Sequence, residues 1–258
     1  HEQAHWLYTE LPFHEDVKDW EHKLSEKEKY FLTQILRFFT QGDVDVAGAY
    51  ATNYIQMFPQ PEIRMMLLGF AAREAMHIAA YSHLIETLNM PESTYQDFLE
   101  YEAMKEKHEY VIDYSDKDEQ SIAQQMAVFS AFTEGMQLFS SFIMLLNFLR
   151  HGKMKAMGQI ITWSIADETM HVEGMIKLFR TYITENKEIW NDTLKSELYT
   201  ICSKMVELED KFIDLAFAMG EMQDLTADDV KQYIRYIADR RLIQLGLKGI
   251  YKIKKNPL

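Results

Sequence analysis

No proline occurs between Pro91 and Pro257, and the remaining three, Pro12, Pro59 and Pro61, all lie in the first quarter of the chain. Over that long proline-free span nothing removes a backbone donor or forces a kink, so the sequence is free to build long helices. The ten glycines and five prolines of the 258 residues amount to about 6%, half of the ~12% that is usual, which argues against turn-rich sandwiches and barrels. The chain is predicted to be all-α.

Local signals place the helices. Ser25 and Glu28 form a capping box ahead of a periodic segment over about 26–57, which Pro59-Gln60-Pro61 ends. A second helix is predicted over about 62–88, closed by Asn89-Met90-Pro91, and a shorter one follows to about 107. The charged stretch from Tyr114 to Gln120 reads as an exposed connection. Long helices over about 120–150 and 153–185 are separated by His151-Gly152, a turn tight enough to make them antiparallel neighbours. One more helix, about 192–219, stops at Gly220, and the last, about 227–245, lies between a Thr226 cap and Gly246. Long helices with short connections predict a bundle.

Four of these helices carry an apolar stripe interrupted by a carboxylate. The first reads Leu32, Leu36, Phe39, Asp43, Val46, Tyr50 at steps of three or four; the second reads Leu67, Phe70, Glu74, His77, Tyr81, Leu84 or Ile85, Leu88. The third gives Ala127, Ala131, Glu134, Leu138, Phe142, Leu145, Leu149, and its partner gives Met157, Ile161, Ser164, Glu168, His171, Met175, Leu178. Burying one unpaired carboxylate costs several kcal/mol, so four of them with two imidazoles require cations. Arg73 is the nearest basic residue but sits beside its stripe, which leaves two divalent metal ions as the means of balance. Glu and His at i and i+3 share a helix face and reach one ion, while a carboxylate from a facing helix completes or bridges the pair. Oxygen and nitrogen donors without thiolate suit iron or manganese.

About one Glu-x-x-His is expected by chance at this composition, and three occur. Glu2-x-x-His5 lies outside any periodic segment and is incidental, whereas the pairs at 74/77 and 168/171 sit at mid-stripe. Asp45 falls off the stripe that holds Asp43. Tyr81, one turn after His77, is either a packed core tyrosine or a phenol within electron-transfer reach of the metals. The 16 methionines and 15 phenylalanines read as core filler.

The set Asp43, Glu74-x-x-His77-x-x-x-Tyr81, Glu134 and Glu168-x-x-His171 resembles the small, radical-generating subunit of class I ribonucleotide reductase. Phe38-Phe39, Glu134-Gly135, Ile165-Ala166-Asp167-Glu168 and the segment from Ile234 to Gly246 ahead of Asn256-Pro257-Leu258 extend the likeness over nearly the whole chain. The resemblance implies a ferritin-like helical bundle with extra helices, one domain over residues 1–258, usually a homodimer, with a dinuclear metal site in its core. It implies that Glu74 and Glu168 bridge the metals, with Asp43 and His77 on one ion and Glu134 and His171 on the other. An oxygen species then activates the centre, and the oxidising equivalent, a tyrosyl radical at Tyr81 or one held on the metals, passes to the large catalytic subunit to start reduction of ribonucleoside diphosphates. Trp6 resembles the family's relay tryptophan, with Asp167 linking it to His77. Ser164 and Leu138 depart from the apolar residue and the phenylalanine common at their positions, so the metals can be two irons, two manganese ions or one of each. The family chain continues past Asn256-Pro257 into a tail that docks on the large subunit, whereas this sequence stops at Leu258. It also begins at His1 without a targeting segment and reads as a piece of a longer product.

Other classes fit less well. A ferritin-like oxidase or hydroxylase needs a substrate cavity, where inward Phe142 and Leu145 suggest filled space, and an iron-handling protein has no use for Tyr81 or for Trp6 with Asp167. A net charge of −13 argues against nucleic-acid binding. Cys202 is the single cysteine, so no internal disulfide forms and a cytoplasmic location is expected. The most apolar run, Phe139 to Leu149, is broken by Ser140, Ser141 and Asn147 and falls short of the ~18 residues of a membrane span.

Overall fold

Ser25 accepts from the backbone N–H of Glu28 while the Glu28 side chain accepts from the Ser25 N–H, and this reciprocal cap, worth about 1 kcal/mol, starts the first long helix where the sequence places it. The computed structural model describes residues 5–97, 101–111 and 118–258. Its helices are α1 (Phe13–His22), α2 (Glu26–Ala49), α3 (Pro61–Thr87), α4 (Ser93–Gln96), α5 (Glu102–Val111), α6 (Glu119–Arg150), α7 (Lys155–Glu185), α8 (Asp192–Ala216) and α9 (Ala227–Leu245). Among the described residues there is no strand, only a bridge between Met222 and Leu225. The part of the predicted connection before Asp118 lies outside the described residues, as does Glu2.

α2 lies along α3, α6 along α7, and α3 meets α7, which makes a four-helix core; α8 and α9 pack on α6, and α1 crosses the start of α7. The stripes read from the sequence face inward: every position of the α3 stripe, from Leu67 to Leu88, is buried. Leu149 at the end of the α6 stripe is the exception and is 36% exposed. Buried residues from Trp6 to Leu245 form one hydrophobic cluster.

Three features differ from the expectation. α2 does not continue as a regular α-helix to residue 57: a π-helical segment, Tyr50–Tyr54, widens it before a last turn, Ile55–Met57. A second π segment, Val128–Gln137, interrupts α6, and such segments are frequent at functional sites. Thirdly, α6 as a whole is long and apolar enough to cross a membrane by composition, which the shorter run at its end did not suggest; 83% of its most apolar window is buried by the other helices.

The helix α7, which carries Glu168 and His171, begins at a residue that offers no side-chain cap. Met154 adopts a left-handed backbone (φ 52°) after the Gly152 turn (φ 70°). The cap is supplied by α1 instead. Asp16 accepts from the N–H groups of Ala156 (3.0 Å) and Met157 (2.8 Å), and Asp19 accepts from that of Met154 (2.9 Å). Two carboxylates at a helix N-terminus satisfy otherwise orphaned donors and complement the helix dipole.

Candidate metal centre

Asp43 on α2, Glu74 and His77 on α3, Glu134 in the π segment of α6, and Glu168 and His171 on α7 converge at the middle of the bundle, each no more than 1% exposed. Ligand atoms of Glu74, Glu134, Glu168 and His171 all lie within 4.8 Å of one another, as do those of Asp43, Glu74 and His77, so two groups that share Glu74 could each hold an ion. Asp45 is only half-buried and accepts from Gln41 at 2.8 Å.

The two imidazoles face each other across a pair of carboxylates. His77 Nδ1 lies 3.3 Å from Glu74 Oε2 and 3.2 Å from Glu168 Oε1. His171 Nδ1 lies 2.9 Å from Glu74 Oε1, 3.3 Å from Glu168 Oε2 and 3.8 Å from Glu134 Oε1. Glu74 and Glu168 therefore each present one oxygen to either imidazole, the disposition of bridging carboxylates, while Asp43 and Glu134 stand at opposite ends.

Electrostatics agree with a cation site. Burial, with Glu74 nearby, pushes the Asp43 carboxyl well above the usual range, and burial with Glu168 does the same to Glu134. Glu74, although burial pushes it up, is held at about 2 by His77 and His171. Burial disfavours charge on His171 as well, yet Glu168 and Glu74 raise it to about 10, and the same opposition, led by Glu74, raises His77. The protein alone thus satisfies this cluster only by placing protons on it. Asp43 Oδ2 and both carboxylate oxygens of Glu168 are buried without a hydrogen bond, and buried acceptors of that kind need an explanation. Two divalent cations supply four positive charges against four carboxylates and leave both imidazoles neutral, so the donors present fit a dinuclear centre.

Around the cluster, Asp167 Oδ2 lies 3.3 Å from His77 Nε2 and accepts from Trp6 Nε1 at 2.9 Å and from Arg73 Nε at 3.2 Å. Burial raises the Asp167 carboxyl, but these partners, His77 first, hold it below its ordinary range. Arg73 also lies over the Trp6 ring (5.0 Å), which stacks on Trp163 (5.2 Å) and His77 (5.8 Å). In the sequence Arg73 is only a basic residue beside its stripe. Its signal is positional: Arg73 and Asp167 each immediately precede a candidate bridging Glu, so both turn to the same side of their facing helices.

Tyr81 is buried, stacks on Phe39 at 4.5 Å with ring planes 10° apart, and donates from its hydroxyl to Ser164 Oγ at 3.3 Å. Phe142 also stacks on Phe39, at 5.5 Å, so aromatic rings fill this flank of the centre. Burial, with the Asp43 charge added, pushes the phenol far above its ordinary value. Tyr50 is a residue that sequence reasoning placed on the α2 stripe without a chemical role, and it donates to both oxygens of Glu134.

Comparison with known proteins points the same way. Residues 1–257 match the family model for the ribonucleotide reductase small chain. The chain is 57% identical to a probable ribonucleoside-diphosphate reductase small subunit of Invertebrate iridescent virus 3, over all of this chain and 73% of the relative. It is 48% identical to the corresponding protein of Invertebrate iridescent virus 6, over all of this chain and 81% of the relative. Among solved structures, a putative class I ribonucleotide reductase from Bacillus halodurans superposes with a TM-score of 0.91 at 21% identity, over 98% of this chain and 92% of that one. The dimanganese(II)-NrdF of Streptococcus sanguinis gives 0.82 at 22%, over 96% and 86%; at that identity the likeness is one of fold. With the bundle, its buried carboxylate and imidazole cluster and a family match along almost its full length, the chain belongs to the ribonucleotide reductase small-chain family.

Proposed function

We propose that this chain is the radical-generating subunit of a class I ribonucleoside-diphosphate reductase, holding two metal ions of iron, manganese or both. The observation that carries the reading is the placement of Glu74 and Glu168, each with one oxygen toward His77 and the other toward His171. In this reading those two glutamates bridge, Asp43 and His77 complete one ion's ligands, and Glu134 and His171 complete the other's. When loaded, the centre supplies the one-electron oxidising power that an oxygen species gives to such a metal pair.

The chain's own residues then have distinct tasks. Tyr81 holds the oxidising equivalent where it is not kept on the metals, in a buried pocket where Phe39 stacks on its ring and Ser164 is the partner of its hydroxyl. Asp167 fixes the His77 ring through Nε2, as outer partners of metal-bound histidines commonly do, and ties it to Trp6, which makes Trp6 the exit toward a large catalytic subunit where ribonucleotides are reduced. Residues 1–258 act as one ferritin-like unit in a homodimer. The α2 and α3 surface suits that pairing, because Val44, Met65 and Leu68 are 42, 71 and 55% exposed, and Ala72 and Ala75 on α3 and Ala51 in the π segment after α2 are exposed as well. A cytoplasmic location without membrane or nucleic-acid partners completes the proposal.

The test is anaerobic loading with ferrous iron, exposure to air and low-temperature electron paramagnetic resonance. A narrow tyrosyl signal that Tyr81→Phe removes while two irons stay bound assigns the radical to Tyr81. Bound and oxidised iron without such a signal, followed by activity with a large subunit only after manganese loading, assigns the equivalent to the metals. Failure to bind two ions per chain overturns the reading.

A further inference from the structure

Tyr50 is the first residue of the π segment Tyr50–Tyr54 and lies two helical turns beyond Asp43 on the same stripe. Its side chain is fully buried. The hydroxyl stands 2.7 Å from Glu134 Oε1 and 2.9 Å from Oε2, so one phenol donor straddles both oxygens of one carboxylate. The ring has little freedom. Phe129 meets it edge-on at 5.0 Å, Phe70 lies 5.9 Å away, Tyr54 6.2 Å, and His171 6.1 Å at 80°.

Glu134 differs from the two candidate bridging carboxylates in what holds it. Glu74 and Glu168 each have a histidine three residues further along their own helix, whereas α6 supplies Glu134 with none. The backbone below Glu134 is irregular as well, since it lies within Val128–Gln137. A terminal carboxylate on a widened helical turn is free to rotate about its side-chain torsions unless a partner fixes it. Tyr50, delivered by the other π segment, is that partner.

We infer that Tyr50 is a positioning residue which fixes the Glu134 carboxylate for the ion that Glu134 and His171 share. The inference rests on the dinuclear reading above. Outer-shell partners of metal ligands commonly change affinity by about 10–100-fold when removed, and the effect here should be confined to one ion of the two.

The experiment is titration of the metal-free full chain with Mn2+, following free ion by electron paramagnetic resonance, for wild type, Y50F, Y54F and E134A. Tyr54 donates to the backbone carbonyl of Gln125 at 3.0 Å, so Y54F removes a buried phenol one turn away without touching the centre. The expected result is two ions for wild type and Y54F, and for Y50F one ion at wild-type affinity and one weakened about 10–100-fold. Unchanged affinities for both ions in Y50F, with E134A losing one, would overturn the role of Tyr50 and leave the dinuclear reading standing. Retention of two ions by E134A would instead remove Glu134 from the ligands and the inference with it. Far-ultraviolet circular dichroism of the metal-free variants separates positioning from folding: helicity lost in Y50F would make the phenol structural and also overturn the proposal.

Discussion

Trp6 and Asp167 are 161 positions apart in sequence, and the Trp6 indole N–H donates to Asp167 Oδ2 at 2.9 Å. The same oxygen lies 3.3 Å from His77 Nε2, so a residue near the start of the chain reaches a candidate metal ligand through a single intervening carboxylate. Replacing Asp167 by alanine should leave two metal ions bound and lower turnover with the large subunit by at least about 10-fold. Metal analysis beside a reductase assay checks both halves; loss of the ions would make Asp167 a determinant of the centre itself.

The glutamates proposed to bridge should behave differently from the proposed terminal ligands. Glu168→Ala removes an oxygen from each ion's surroundings and should abolish stoichiometric loading altogether. His171→Ala should reduce the content below two ions per chain. Elemental analysis of desalted protein reads either outcome, and full retention in both variants would contradict the ligand set.

Asp16 caps a helix in another part of the chain, which makes it a test of stability without chemistry. Asp16→Ala leaves the N–H groups of Ala156 and Met157 without their acceptor and should cost about 1–2 kcal/mol. For a protein of this size that corresponds to a fall in Tm of a few degrees, roughly 2–4 °C per kcal/mol, measurable by thermal melting of the metal-free form.

Asp19 gives the same junction a pH dependence. Burial pushes its carboxyl up, but the Lys23 ammonium and the Met154 N–H outweigh burial and hold it below its ordinary value of 3.8. A carboxylate depressed in the folded state adds stability that is fully present above its unfolded pKa and disappears as pH falls through the lower folded value. The stability difference between wild type and Asp19→Asn should therefore shrink as pH drops below about 4. Denaturant titrations at pH 6 and pH 3 measure it; a difference that grew toward acid would contradict the assignment.

What could be read from the sequence follows from geometry. Asp43, Glu74, His77, Tyr81, Glu134, Glu168 and His171 stood out because each is a polar residue at three- or four-residue spacing within an otherwise apolar stripe of its helix. Trp6 and Asp167 carried no such mark. Trp6 precedes the first α-helix and Asp167 sits one step off its stripe, so only the resemblance joined them. The π segments were invisible for another reason: from Phe129 to Leu138 every residue but Thr133 is buried, and a helix enclosed on all sides has no exposed face to give its period away. Arg73 was legible as a charge but not as the partner of Asp167, because that pairing crosses between helices.

The widened turn in α6 also sets a rule for insertions and deletions. Each residue of a regular helix advances about 100° around its axis, so removing one residue between Val128 and Glu134 would let the backbone ladder close as an ordinary α-helix. The same change would swing Glu134 about a quarter of a turn away from His171, or else turn Ala123, Met126 and Ala127 out of the core. The irregular helix is the one whose two halves both face inward, and a tidier backbone at this point would carry the wrong side chain into the middle of the bundle.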